Sequence, residues 1–147
     1  MEKKPRPMVD VAAPCACGAV TVVLRGKVHA MFLCSCEDCQ KATGAGHSAI
    51  ALADPASVTV SGETKSFARP AASGATFTRW FCPQCGTPLY GSSSRAPHAI
   101  MLPVGLFGGR NDWFAPNQLI FARSHRAWDE IAANLPRHET YRDKEGV

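Results

Sequence analysis

No stretch of the chain approaches the roughly 18 consecutive apolar residues of a membrane-spanning helix. The opening residues, MEKKPRPMVD, carry charge but lead into no apolar run of signal-peptide length. The expectation is therefore a soluble protein of a reducing compartment, the cytoplasm, with no membrane partner. Repeats, heptads and low-complexity segments are absent, which excludes a solenoid or coiled coil. Helical periodicity is weak throughout. Basic residues are scattered, and the one dense group, EKKPRP, stands in the N-terminal tail. This lack of a basic stripe argues against nucleic acid as a partner.

The chain is of ordinary single-domain size: 147 residues, 46% hydrophobic and 19% charged. Such a chain buries a real core, so it needs no metal on grounds of size alone. Gly and Pro, 12 and 11 in number, fall where they separate short strands. AVTVVLRG alternates and ends at Gly26. HAMFLCSC and HSAIALAD follow, the second stopping at Asp54-Pro55. SVTVSG and TKSFAR read as a hairpin about Gly62-Glu63. ATFTRWFC, TPLYGSS, HAIMLPVG and QLIFARS complete the strands. One helical turn is expected after Cys36 and another over RAWDEIAANL. The reading is a mainly β protein with short helical pieces. A flexible tail is expected over 1–12, one domain over 13–135 and a C-terminal tail over 136–147.

Seven cysteines stand out. In a reducing compartment clustered cysteines are metal ligands or catalysts before they are disulfides, and an odd count leaves one unpaired in any case. Cys15 and Cys17, in CACG, are two apart, a spacing that puts both on one side of an extended chain. Cys82 and Cys85, in FCPQCG, have knuckle spacing with a Pro83 turn and Gly86. Together the pairs supply the four thiolates that zinc favours. Cys34, Cys36 and Cys39, in FLCSCEDCQKATG, supply three and leave a fourth position open, as catalytic zinc sites do. His47, Asp38 or Glu37 could close that position. Cys36 and Cys39 could instead cycle as a redox pair, although a thioredoxin-like βαβ context is missing. Two zinc ions on seven thiolates change the formal charge of +4 by −7 + 4 = −3, leaving about +1.

The three motifs in order, C-x-C-G, C-x-C-x-x-C and F-C-x-x-C-G-T, resemble the glutathione-dependent formaldehyde-activating enzyme family, whose domain also occurs in centromere protein V. The resemblance covers roughly residues 13–128 and includes TGAG, SGETKSF, WFCPQCGTPLY and the Trp of SHRAWDEI. It implies a zinc-stapled β-tent of small antiparallel sheets. It further implies a structural ion at Cys15, Cys17, Cys82 and Cys85 and a catalytic ion at Cys34, Cys36 and Cys39. The activity it implies is carbon–sulfur lyase chemistry on S-hydroxymethylglutathione. The chain departs from the family pattern at Ser35, where His often stands, at Gln40-Lys41, where a basic pair often follows, and at His47.

The chemistry read from these residues is a zinc-dependent lyase acting on glutathione or a related small thiol and its aldehyde adduct. His47 is the nearest candidate general acid or base. His29, His98, His125 and His138 lie in no local motif. Arg79, Lys41 and Arg123 neighbour the motifs and read as solvated charges, and Trp80, Phe81, Trp113 and Trp128 as core. The alternative is a non-catalytic zinc scaffold that binds a protein or nucleic acid, in which case a protein ligand closes the triplet. The sequence leaves the oligomeric state open.

Overall fold

The computed structural model describes residues 6–142. Nine strands and one short α-helix account for its regular structure among these residues, apart from three short 3-10 turns. The strands are β1 (Met8–Pro14), β2 (Thr21–Cys34), β3 (Ser48–Ala53), β4 (Val58–Ser61) and β5 (Lys65–Pro70). They continue with β6 (Thr76–Phe81), β7 (Pro88–Ser93), β8 (Ile100–Pro103) and β9 (Leu119–Ile120). Helix α1 is Glu37–Thr43. The strands make one open sheet of order β1-β2-β3-β8-β7-β6-β5, with β4 and β9 pairing β2 off that path. The protein is mainly β, as its turn-punctuated sequence implies.

The described residues fall into two compact units, one of residues 6–30 and 51–114, the other of residues 31–50 and 115–142. In the first, Val22, Leu24 and Val28 of β2 are buried with Leu89, Leu102, Ala51 and Ala53. Each buried Leu contributes about 1.5–3 kcal/mol. β1 and β2 form a hairpin in which Pro14 pairs with Thr21, and β6 and β7 form a second. In the second unit Leu33 and Cys34, the end of β2, pair in parallel with Leu119 and Ile120 of β9. Phe32, Leu119 and Phe121 are buried there.

Four expectations are corrected. Residues 8–12 are not tail but most of β1, because their alternation places Val9 inside and pairs them along β2; residues 1–5 lie outside the described residues. SVTVSG and TKSFAR do not pair with each other. β4 pairs β2, with Val60 opposite Val22 and Val58 opposite Leu24, while β5 pairs β6. Gly62, at φ +112, lets the chain pass against the Ala19 carbonyl where any Cβ would clash. RAWDEIAANL is turns rather than helix. The His125 ring holds the Asp129 carbonyl at 2.6 Å, taking an acceptor that a helix would use, and Asp129 N–H turns back to Arg126 O. Finally, part of the C-terminal tail is fixed: Leu119, Phe121 and Ala122 donate to Pro136, Thr140 and His138, whose carbonyls satisfy a short strand's backbone. Residues 143–147 lie outside the described residues.

Candidate metal centres

The first cysteine cluster joins two hairpin tips of the first unit. The β1–β2 turn carries Cys15 and Cys17, with Cys15 N–H bonded to Val20 O and Gly18 N–H to Cys15 O. The β6–β7 turn carries Cys82 and Cys85. A register shift between Trp80 and Phe81 ends the ladder just before Cys82, and Gly86, at φ +76, closes the knuckle through its N–H to Cys82 O. The tips touch directly, Ala16 N–H donating to Thr87 Oγ1 at 3.1 Å.

The four ligand atoms lie within 4.8 Å of one another. Cys15 Sγ is 3.6 Å from Cys17 Sγ, and Cys17 Sγ is 3.7 Å from Cys82 Sγ. A zinc–sulfur bond of about 2.3 Å gives a tetrahedral sulfur–sulfur edge of about 3.8 Å, so the spacing and the all-thiol donor set fit such an ion. Val20 N–H donates to Cys15 Sγ at 3.3 Å, and the Thr87 hydroxyl is 3.1 Å from Cys85 Sγ. Hydrogen bonding to that hydroxyl, then to the Thr87 backbone, pulls the Cys85 thiol down to about 5.

The second cluster, in the second unit, is local. Cys34 ends β2, Cys36 caps α1, and Cys39 lies in its first turn. Cys36 Sγ accepts from Cys39 N–H at 3.3 Å, so one sulfur both starts the helix and serves as a candidate ligand. Gly44, in the left-handed region at φ +70, ends the helix. The three sulfurs lie within 4.8 Å of one another, and among the described residues no His, Asp or Glu donor joins them. His47, Asp38 and Glu37 therefore stand outside the group. Hydrogen bonding with Cys36 and Cys39, and then burial, pushes the Cys34 thiol well above its ordinary range. A divalent cation held there would reverse that balance, because it would stabilise all three thiolates together.

The structure gathers further residues here that sequence reasoning missed. Gln40 donates through Nε2 to Ser35 O at 2.8 Å and to Ser124 O at 3.0 Å, and its Oε1 accepts from Arg126 Nε at 3.2 Å. Arg126 also lies 3.7 Å from Glu37. His47 Nδ1 is 2.7 Å from Asp129 Oδ2, with both side chains largely buried. A carboxylate only accepts, so Nδ1 carries the proton, and in a neutral imidazole Nε2 is then the acceptor. No local pattern marks Asp129, and Gln40 is marked only as a departure from the family pattern. The buried Ser35 Oγ has no hydrogen-bond partner. Of the other named side chains, Arg79 lies over Phe67, Arg123 over Phe121, and Trp80 stacks on Tyr90. Trp128, expected in the core, is 68% exposed.

The His47–Asp129 pair yields a direct test. Gly46 has no room for a side chain: a Cβ there would lie 2.5 Å from the Asp129 carboxyl carbon. Gly46→Ala and Asp129→Ala are each expected to cost about 1.5–3 kcal/mol, the range for a charge-assisted hydrogen bond. Urea unfolding measures the loss, and the double variant is expected to lose little more than either single one.

The model of the family described as glutathione-dependent formaldehyde-activating enzyme matches residues 10–124. None of the curated proteins matches the chain. Among solved structures, the crystal structure of a Rhodobacter sphaeroides protein aligns with a TM-score of 0.55 at 20% identity, covering 69% of this chain and 92% of that one. That likeness concerns the fold. No helix of the described residues is long and apolar enough to cross a membrane. With the family match spanning both cysteine clusters, the chain belongs to the glutathione-dependent formaldehyde-activating enzyme family.

Proposed function

We propose that the protein is a zinc-dependent carbon–sulfur lyase acting on a thiol–aldehyde adduct, S-hydroxymethylglutathione or a related small-thiol adduct. The observation that carries this reading is the triplet: Cys34, Cys36 and Cys39 converge, and among the described residues no His, Asp or Glu joins them. Two zinc ions per chain are assigned, a structural one at Cys15, Cys17, Cys82 and Cys85 and a catalytic one at Cys34, Cys36 and Cys39. The family match over residues 10–124 spans both compact units, which supports reading them as one functional domain. Seven free cysteines gathered in two clusters that could hold metal support a cytoplasmic setting.

Zinc on three thiolates supplies a position for a fourth, soft ligand and acidifies a thiol offered to it. The chain's own residues provide the rest. The amide of Cys39 steadies the Cys36 sulfur as an anion. In the direction of adduct formation, a sulfur lone pair forms the C–S bond, the carbonyl π pair moves to oxygen, and that oxygen takes a proton. In cleavage the hydroxyl proton leaves and the C–S pair returns to sulfur. We assign the proton transfer to Nε2 of His47, the nitrogen that Asp129 leaves open.

Cobalt substitution tests the reading without an activity assay. Thiolate-to-metal absorption is expected to change saturably on adding glutathione or other small thiols. The departures at Ser35, Gln40 and His47 predict weak selectivity among them. A spectrum unmoved by every thiol, in protein loaded at the triplet, would leave the non-catalytic scaffold, with a protein or nucleic-acid partner, as the better reading.

A further inference from the structure

The ladder β5–β6–β7 belongs to the first unit, and its strands contain none of the cysteines. No residue of β5 or β6 is fully buried. A strand pair that buries so little is held by contacts across its surface. Phe67 stands opposite Arg79, and Arg69 opposite Phe77. The Arg79 guanidinium carbon lies 5.5 Å from the Phe67 ring centre, and that of Arg69 lies 4.7 Å from the Phe77 ring centre. The Phe77 ring in turn covers Gly91, where a Cβ would come within 2.7 Å of it. Lys65 opposite Phe81 continues the same face, since residues two apart on a strand share one. Cation and ring thus alternate along each strand and across the pair.

The sign of this region is uniform. From residue 64 to residue 111 the sequence has no Asp or Glu, yet it has Lys65, Arg69, Arg79, Arg95 and Arg110. The modest charge of the whole chain conceals this segregation, because the acids lie before and after the segment.

We infer that the β5–β6 face is a docking surface for single-stranded nucleic acid. Such a strand offers both things the face fits: phosphates for the cations, and unstacked bases for guanidinium planes and rings. Phe67, 52% exposed, is the ring most open to a base. A second copy of the chain would bring like charge to like charge. An anionic membrane would call for apolar side chains projecting beyond the cations, whereas here guanidinium groups lie over the rings. A duplex keeps its base faces stacked away.

Fluorescence anisotropy of a labelled oligothymidylate with the full, metal-loaded chain tests this. The single strand is expected to bind more tightly than a duplex of equal length. Three cations on phosphates give a slope of log affinity against log salt of about −2. Arg69→Gln with Arg79→Gln is expected to weaken binding at least about tenfold and to flatten the slope. Phe67→Ala weakens it by about tenfold with the slope unchanged. Arg25→Gln, on an exposed residue paired with Asp10, leaves binding as it was. Arg69→Lys with Arg79→Lys preserves charge and fold, and it is expected to keep the slope while losing the preference for the single strand. Circular dichroism and metal content check each variant. Absence of single-strand binding at low salt, equal loss in Arg25→Gln, a lysine variant indistinguishable from the parent, or tighter binding to duplex or phosphatidylserine vesicles would each overturn the inference.

Discussion

Cys82→Ser is expected to give an insoluble or unfolded chain, whereas Cys36→Ser folds and loses thiol-adduct turnover. Cys82 is fully buried and lies 65 residues along the chain from Cys17, its neighbour in the cluster. An ion there crosslinks two hairpins that are remote in sequence. Structural zinc sites supply about 10–16 kcal/mol at neutral pH, as much as the roughly 5–15 kcal/mol of a domain's whole stability. Losing one ligand of four therefore threatens the fold. Cys36 differs in two ways. Its ion would close only a short loop from Cys34 to Cys39, which constrains the unfolded chain less by about 2 kcal/mol. Its helix also survives the change, because Ser caps an α-helix at least as well as Cys through a side-chain acceptor. Soluble yield, circular dichroism and metal per chain separate the variants. If Cys36→Ser proves as unstable as Cys82→Ser, the triplet is structural and the catalytic assignment fails.

The two clusters were legible in sequence because ligand spacing is local. Cys82 and Cys85 with Gly86, or Cys36 and Cys39 at a helix start, are set by a single turn of backbone. The strands were legible for the same reason, through alternation and Gly or Pro breaks. Partner choice was not. Nothing in SVTVSG states that it pairs with Thr21–Leu24 rather than with TKSFAR; the decision follows from Val58 and Val60 finding Leu24 and Val22 across the sheet. The surroundings of the triplet were hidden most completely. Asp129 meets His47 across 82 residues, and Arg126 meets Gln40 across 86. Within their own stretch these residues look like a helical pattern, and that local appearance produced the mistaken helix. A departure from the family pattern did carry information: Gln40, in place of a basic residue, spends both its amide and its carbonyl on fastening the Ser124–Arg126 segment to α1.

A chelator titration is expected to remove the two ions in separate steps, the triplet's first. Ligand count and enclosure decide the order. Four sulfurs surround the first centre, and replacing them requires pulling apart two hairpin tips that are also joined by the Ala16–Thr87 hydrogen bond. In the proposed assignment three sulfurs would hold the second ion, and a chelator could enter at the fourth position without first breaking a protein–metal bond. The consequence for the fold differs as well. Emptying the triplet leaves the parallel Leu33–Leu119 pairing, the Gln40 bonds and the His47–Asp129 bond in place, so the far-ultraviolet circular dichroism is expected to hold during the first step. Emptying the four-thiol centre removes the staple between remote strands, so the second step is expected to coincide with unfolding. Thiols take up protons as each ion departs, and both steps therefore move to lower chelator concentration as the pH falls. Metal content and circular dichroism followed on the same samples give the answer. A single concerted release accompanied by unfolding would mean that the two centres support the fold alike, and the division between a structural and a catalytic ion would be wrong.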